Sequence, residues 1–267
     1  MKIDNKAAIQ SLYGTNDLGE KPAFQGGYIN FGYWKNVDLN CRQITQEERI
    51  RSSHDLYDLV FKHLDIQFDD KILEIGCGRG YGCRELVDKY GPEYVVGIDI
   101  TPNQIERAKH LHLFSSEVPS NLKFEVAAAG STPFSDGEFN KIYAVESAQH
   151  IPSIPEFAKE SWRLLKHQGQ LVIAAHFSTS NQGFDMNRAH FPLIDEGIDL
   201  LIPIQEVINN FEEQGFQVKE VIKIGNQVFP GLDKWCKQVL DVNWGENFIK
   251  MYKEGNLDYY MINLQKG

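Results

Sequence analysis

The sequence predicts an α/β fold in which a mostly parallel sheet carries helices on both faces. Short apolar runs alternate with amphipathic segments along most of the chain, and this alternation is typical of parallel sheets covered on both sides. Two apolar runs end in a carboxylate, Glu74 and Asp99, and glycines at positions 76, 78 and 80 follow the first. Because the carboxyl ends of parallel strands meet at one edge of the sheet, these residues predict a nucleoside-binding site there.

Hydrophobic spacing and turn residues assign the elements in order. A short helix is predicted near 5–12, and an amphipathic helix at 45–64, where Leu56, Val60 and Leu64 repeat at helical spacing. Strands are predicted at 71–75, 94–99, 122–127, 140–146, 170–176, 217–224 and 257–264. Helices are predicted at 81–90, 102–113, 154–166 and 204–214, with a helical insertion at 229–255 and a loop-rich interruption at 177–202. Thr101 and Pro102 suit a helix start, and Gly215 suits a helix end.

The glycine turn differs from two other nucleotide-binding patterns. A dinucleotide fingerprint requires glycine or alanine three residues after its second glycine, where this chain has Tyr81. No Lys-Ser or Lys-Thr pair follows the glycines, so the turn is not a phosphate-binding P-loop. A nicotinamide oxidoreductase is therefore disfavoured.

The spacing Glu74-x-Gly76-x-Gly78-x-Gly80, with Asp99 at the next strand tip, resembles the first motif of the class I S-adenosylmethionine-dependent methyltransferases. Residues 28–34 are similar to the N-terminal cap of members that act on small metabolites. The other segments that carry the resemblance are 97–108, 124–134, 139–151, 157–169 and 169–175.

This resemblance implies a Rossmann-like, seven-stranded, mostly parallel sheet whose last two strands are antiparallel, with an N-terminal cap and helical lid insertions. It divides a single domain into a cap and helix at 1–66, a cofactor-binding core at 67–177, and lid insertions with the closing strands at 178–267.

The resemblance also implies S-adenosylmethionine as the cofactor. The glycines would lie against its methionine part, Glu74 would hold the amino group directly or through water, and Asp99 would bind the ribose. The full expected set is Glu74, Gly76, Gly78, Gly80, Asp99, Ile100, Gln104, Ala128, Ala129 and Glu146. Family members usually carry aspartate where this chain has Ala128, so we expect weaker or differently arranged binding of the adenine.

His150 is the candidate catalytic base, because it follows the fourth strand on the loop expected over the methyl group and its ordinary pKa suits proton removal at neutral pH. A helix-capping or packing histidine before Pro152 is the open alternative. His176 stands where relatives often carry an acid that steers the base, so a histidine–acid pair is not carried over. The two histidines alone do not predict a metal site, because no third ligand is evident.

The aromatic residues of the cap and two insertions are expected to form the acceptor pocket. Tyr28 and Tyr33 are predicted to face the pocket with His176, whereas Trp34 is predicted to pack. The apolar insertions at 184–202 and 229–248 favour a small, partly apolar methyl acceptor.

Composition limits the partners. The 267-residue chain has a net charge of −10 and no basic block, which argues against nucleic acid because phosphate contacts dominate that affinity. The four cysteines have no zinc or disulfide spacing, and no leader or membrane-spanning run is evident, so a cytoplasmic protein is expected. The sequence does not predict an oligomeric state.

The expected function is methyl transfer to an oxygen or nitrogen of a small metabolite, with oxygen favoured because His150 can remove a proton. Methylation of carbon on a quinone or sterol-like ring is an alternative within the same fold. A non-catalytic cofactor-binding protein is the alternative outside enzymes.

Overall fold

The computed structural model describes residues 5–40, 43–113, 119–180, 197–239 and 242–267, with only the backbone described at 242–244. One seven-stranded sheet runs through the molecule in the order β3-β2-β1-β4-β5-β7-β6. The strands are β1 Lys71–Ile75, β2 Tyr94–Asp99, β3 Leu122–Val126, β4 Phe139–Val145, β5 Leu165–Ser178, β6 Phe216–Lys223 and β7 Leu257–Lys266. The first five strands are parallel, and β7 is antiparallel to both β5 and β6. The predicted fold class is confirmed.

Helices cover both faces of this sheet. They are α1 Lys6–Ile9, α2 Gln46–Leu64, α3 Tyr81–Tyr90, α4 Pro102–Leu113, α5 Ile154–Leu164, α6 Ile204–Glu213, α7 Gly225–Gln238 and α8 Val242–Lys253. The Thr45 hydroxyl caps α2 by accepting from the Glu48 N–H, and the Glu48 carboxylate accepts from the Thr45 N–H. Two backbone donors at the helix start are thereby satisfied.

Successive strand residues point to opposite faces and so build two cores. Ile72 and Val95 join the core beneath α2, α4 and α7, whereas Leu73 and Val96 join the core beneath α5 and α6. Because both faces are buried, the central strands are mainly apolar, which is why their sequence signal is strong.

Two predicted elements differ from the structure. The N-terminal helix is a single α-turn, α1, that continues as a π-helical turn over Gln10–Thr15. Strand β5 begins at Leu165 because that residue is extended and pairs with Phe139, after which a register shift leads into the predicted strand. The predicted insertion at 184–202 lies mostly outside the described residues.

The N-terminal segment, residues 5–40, packs against α2 and α7. Arg49 of α2 is fully buried and donates to the carbonyls of Ala23 and Asn30, and the Trp235 indole of α7 also donates to Ala23. Trp34 is buried there, as predicted from its sequence context. Within the described ranges no helix is both long and apolar enough to cross a membrane.

Candidate active site

A cavity of about 350 Å³, here called the cofactor cavity, opens at the carboxyl ends of β1, β2 and β4. Most of the predicted site residues line it. They are Tyr28, Gly76, Gly78, Asp99, Ile100, Gln104, Ala128, Ala129, Glu146 and His150.

The glycine turn is held against the tip of β2. The N–H groups of Gly76 and Cys77 donate to the Ile98 carbonyl at 2.8 and 2.9 Å, and the Gly78 N–H donates to Asp99 Oδ2 at 3.0 Å. Gly76 has a φ of +75°, and a Cβ there would lie 2.2 Å from the Ser147 Cβ. Gly78 also has a positive φ, +51°, but a Cβ there would meet no atom within 4 Å, because this glycine faces the cavity.

Asp99 and Gln104 present polar groups to the same cavity. The second oxygen of Asp99 accepts from the Thr101 N–H at 2.8 Å, and burial raises the pKa of Asp99, although these N–H bonds oppose the shift. Gln104, on the first turn of α4, is 1% exposed. Neither atom of its amide has a hydrogen-bond partner in the described structure, so it is available to a bound polar group.

Glu74 and Gly80 were expected at the cofactor but lie outside the lining of the cavity. Glu74 is fully buried: the Tyr57 and Tyr143 hydroxyls donate to it at 3.0 Å each, and the Cys83 thiol lies 2.9 Å away. Burial raises the pKa of Glu74 to about 7. The Glu74 carboxylate therefore does not face the cavity in this structure, and Tyr57, which donates to it, lines the cavity instead.

Gly80 has a packing role in this structure. A Cβ there would lie 2.5 Å from the Phe124 ring, and the residue precedes α3 with a φ of +78°. A side chain would therefore push α3 away from the neighbouring strand.

The segment that the resemblance assigns to adenine forms a tight turn at the rim of the cavity. The Ser131 N–H donates to the Ala128 carbonyl at 3.0 Å, and residues 127–131 all line the cavity.

His150 is held by two contacts at Nδ1. That nitrogen donates to the Ile198 carbonyl at 2.9 Å and lies 3.0 Å from Oδ1 of Asp199, a residue whose side chain is 4% exposed. Since the N–H is directed at the carbonyl, the Asp199 contact is chiefly electrostatic. Burial alone would lower the pKa of His150, but the Asp199 carboxylate outweighs it, and the pKa is raised from its ordinary 6.5.

The sequence predicted no acid at position 176 to steer His150, and the structure supplies one from another segment. The acid is Asp199, from the segment after β5. It lies near both histidines, because its Oδ2 is 3.8 Å from His176 Nε2. Sequence reasoning missed Asp199 because it is far from both histidines in the chain and has no motif around it.

The opposite nitrogen of His150 faces the N-terminal segment. The Tyr13 hydroxyl lies 2.9 Å from Nε2, and the Gln149 Nε2 lies 3.3 Å away. Since Nδ1 carries the hydrogen, both groups donate to the lone pair on Nε2 in the neutral ring. Tyr13 was also missed, because its segment is only weakly periodic.

A second cavity of about 420 Å³, here called the acceptor cavity, adjoins the first. Four residues line both cavities: Tyr13, Ile29, Glu146 and His150. The acceptor cavity is further lined by Leu12, Leu18, Lys21, Pro22, Phe24, Phe31, Gln149, His176, Asp199 and Val239. His150 and Glu146 thus stand at the junction.

Glu146 is bonded on the acceptor side of this junction. Its Oε1 accepts from the Phe31 N–H at 2.7 Å and from the Tyr259 hydroxyl at 3.0 Å. Burial raises the pKa of Glu146 to about 8, so the group is mainly protonated at neutral pH.

The three residues predicted to face the acceptor lie in different places. Tyr28 lines the cofactor cavity and donates to Glu85 at 3.2 Å. His176 lines only the acceptor cavity, stacked on Phe31 with ring centroids 5.4 Å apart. Tyr33 is half-buried and does not line either of the two cavities. In the part of the chain that the structure describes, no three His, Cys, Asp or Glu side chains cluster as a metal site.

Fold and site together define a class of protein. The sheet order, the bare glycine turn beside Asp99 and the unpartnered Gln104 amide fit an S-adenosyl nucleoside at the carboxyl edge of the sheet. The protein is a class I S-adenosylmethionine-dependent methyltransferase, an enzyme that acts on small metabolites.

Comparison with known proteins agrees with this assignment. Residues 73–173 match the methyltransferase domain family. Erythromycin 3''-O-methyltransferase of Saccharopolyspora erythraea is 25% identical over 241 residues, which cover 85% of this chain and 74% of that enzyme. The 2-methyl-6-phytyl-1,4-hydroquinone methyltransferase of Synechocystis sp. is 30% identical over 178 residues, which cover 65% of this chain and about half, 53%, of that enzyme.

Among solved structures, geranyl diphosphate C-methyltransferase from Streptomyces coelicolor A3(2) has a similar fold. Its TM-score is 0.85 at 16% identity, and the match covers 99% of both chains. The relatives therefore include enzymes that methylate oxygen and enzymes that methylate carbon.

Proposed function

We propose that this enzyme methylates a hydroxyl oxygen of a small, largely apolar metabolite. The observation that carries the proposal is the position of His150. It stands at the junction of the two cavities, with Nδ1 fixed by Ile198 and Asp199 and the lone pair of Nε2 on the opposite side of the ring.

The cofactor cavity has the groups to hold S-adenosylmethionine. The bare face of Gly78 accommodates the methionine part, and Asp99 accepts from the ribose hydroxyls. Gln104 adds a polar contact there, and the 127–131 turn borders the adenine with Ile100. When bound, this cofactor supplies a methyl group that is already electrophilic, so the protein has mainly to place the acceptor atom and exclude water.

His150 supplies the proton acceptor that a hydroxyl requires. An aliphatic or phenolic hydroxyl remains protonated at neutral pH, and methylation releases that proton. Nε2 of His150 accepts this proton. The substrate hydroxyl then lies where the Tyr13 hydroxyl lies in this structure. Asp199 stabilises the resulting imidazolium, which is the arrangement expected of a general base steered by a carboxylate.

Glu146 is not a competing base. A carboxyl group whose pKa is about 8 holds its proton at neutral pH, and its Oε1 already accepts two hydrogen bonds. We assign Glu146 a structural role at the junction, where it fixes the Phe31 backbone through a hydrogen bond.

The proposal is tested by methyl transfer from labelled S-adenosylmethionine to a panel of phenols and alcohols. His150→Ala is expected to lower turnover roughly a hundredfold, while the dissociation constant of S-adenosylhomocysteine stays within about twofold of the wild-type value, since the cofactor contacts remain. The control His167→Phe changes an exposed histidine of β5 and is expected to retain activity. Unchanged turnover in His150→Ala would contradict the role as base.

Methylation of carbon is the second candidate. The aromatic walls of the acceptor cavity, Tyr13, Phe24 and Phe31, favour it because aromatic faces stabilise a developing cation. Methylation of carbon also releases a proton, after the new bond has formed, so the atom that carries the methyl group in the product, rather than the activity of His150→Ala, separates the two candidates.

A further inference from the structure

The polar end of the acceptor cavity contains acceptor atoms with no hydrogen bond. Gln149 and His176 are each 2% exposed, and both line this cavity but not the cofactor cavity. In the described structure Gln149 Oε1 and both ring nitrogens of His176 lack partners. Buried polar atoms are nearly always paired, because leaving one unpaired costs its full desolvation.

Two of these atoms, Gln149 Oε1 and one ring nitrogen of His176, are acceptors and call for a donor. His176 is a neutral ring, because burial lowers its pKa to about 4, so one nitrogen is always a bare acceptor. The Asp199 carboxylate, 3.8 Å from Nε2, favours the hydrogen on that nitrogen and leaves Nδ1 as the acceptor. The ring is fixed by stacking on Phe31 and by an edge contact with Phe248 at 5.1 Å between centroids.

The unpaired atoms lie beside the place of the reacting hydroxyl. The Gln149 Nε2 is 3.3 Å from Nε2 of His150. The unpaired Oε1 belongs to the same side-chain amide as this Nε2 and so lies near His150 as well. His150 and His176 face opposite oxygens of Asp199. A ligand with its reacting hydroxyl at Nε2 of His150 therefore lies close to the Gln149 amide, and His176 lines the same cavity on the far side of Asp199.

The remaining wall excludes a generally polar ligand. Apart from Lys21, it consists of apolar side chains, namely Leu12, Leu18, Pro22, Phe24, Ile29, Phe31 and Val239. Polar recognition is thus concentrated at the His150 end.

We propose that the acceptor carries a second hydrogen-bond donor, a hydroxyl or N–H group, on the atom adjoining the methylated hydroxyl, and that Gln149 and His176 bind it. The substrate class is an apolar skeleton with a vicinal donor pair, such as a catechol or a vicinal diol. This inference rests on the proposed O-methyl transfer and adds two specificity residues to it.

Three probes of one skeleton test the inference: catechol, guaiacol and phenol. Guaiacol is the mono-methylated product of catechol and has a methoxy group, which cannot donate, beside its hydroxyl. We expect kcat/KM for catechol to exceed that for guaiacol and for phenol by about tenfold or more, because a site with buried polar groups rejects an analogue that leaves them unpaired. Guaiacol should accumulate as the product of catechol.

Two variants locate the preference. His176→Phe keeps an aromatic ring between Phe31 and Phe248, and Gln149→Met keeps the length of the side chain. Each is expected to bring the catechol-to-phenol ratio of kcat/KM towards one, mainly through the KM of catechol. His167→Phe, on the exposed part of β5, is expected to keep the wild-type ratio.

A binding measurement separates this inference from the proposed function. Calorimetry on the complex with S-adenosylhomocysteine should show tighter binding of catechol than of phenol, lost in His176→Phe. That result without any methyl transfer would support the inference and contradict O-methylation. Equal binding or equal kcat/KM for the three probes in the wild type, or no binding of any, would overturn the inference.

Discussion

Gly78 and Gly91 allow the two consequences of a glycine with positive φ to be measured separately. Both have a left-handed backbone, at +51° and +55°, and neither has an atom within 4 Å of its Cβ position. Gly78 faces the cofactor cavity, whereas Gly91 ends α3. The strain is shared, and only the ligand contact differs.

Gly78→Ala and Gly91→Ala are each expected to lower the free energy of unfolding by about 1 kcal/mol, since alanine is strained in this conformation. Only Gly78→Ala is expected to raise the dissociation constant of S-adenosylmethionine, by about tenfold or more, because the methyl group enters the cavity. Chemical denaturation and calorimetry measure the two effects. Equal cofactor affinities in the two variants would contradict the contact between Gly78 and the cofactor.

The His150–Asp199 pair predicts the pH dependence of turnover. The base must be neutral, so activity should rise with pH through the pKa of His150, which Asp199 raises from 6.5. In Asp199→Asn burial is no longer opposed, so the pKa falls and the acidic limb of the kcat/KM profile moves to lower pH, with a reduced plateau because the neutral ring is a weaker base. An unmoved limb would rule out the pairing.

Glu146 titrates in the same range, with its pKa about 8, and provides the control for this experiment. Glu146→Gln should keep the acidic limb, whereas His150→Ala should abolish it. The opposite pattern would assign the base to Glu146.

At the scale of elements, the N-terminal segment borders both cavities and is held to the sheet domain by hydrogen bonds and ion pairs. Arg107 of α4 donates to the carbonyls of Tyr13 and Gly14 at 3.0 and 2.8 Å, and its Nε lies 3.0 Å from Asp17. Arg79, which follows Gly78, also pairs with Asp17, at 2.8 Å. These contacts fix the backbone at Tyr13, whose side chain reaches His150, and connect the segment to the glycine turn.

Arg107→Gln is expected to loosen this segment. Amide exchange over residues 10–20 should become faster, and the KM values of cofactor and acceptor should rise several-fold, while the fold is retained because α4 is anchored by Ile105 and Ala108. Hydrogen exchange with mass spectrometry and steady-state kinetics measure this. Arg84→Gln, which breaks an i,i+4 pair with Asp88 on α3, is the control. Matching behaviour of the two variants would contradict a specific role for Arg107.

Elements buried on both faces were predicted well from the sequence. Strands β1 and β2 begin and end at the predicted residues, because a short, mainly apolar run next to glycine and polar residues is readily recognised as a buried strand. The early start of β5 at Leu165 depends on pairing with Phe139, which local sequence does not encode. The π-helical turn over Gln10–Thr15 likewise depends on tertiary packing.

At the scale of the whole molecule, the cofactor and the sheet were predictable and the acceptor cavity was not. The glycine turn and Asp99 are close in sequence, so a local motif predicts the cofactor. The acceptor cavity combines the N-terminal segment, the loop after β4, His176 of β5, Asp199 and Val239. Only the completed fold brings these together, and therefore Tyr13 and Asp199 were missed.

The central claim is that the methyl group is transferred to oxygen, and the product tests it most directly. The enzyme is incubated with catechol and S-adenosylmethionine labelled in the methyl carbon, and the labelled carbon is examined by NMR. We predict the chemical shift of an aryl methyl ether in the wild type and its loss in His150→Ala. A label bonded to ring carbon, or a methyl ether formed equally well by His150→Ala, would contradict the account.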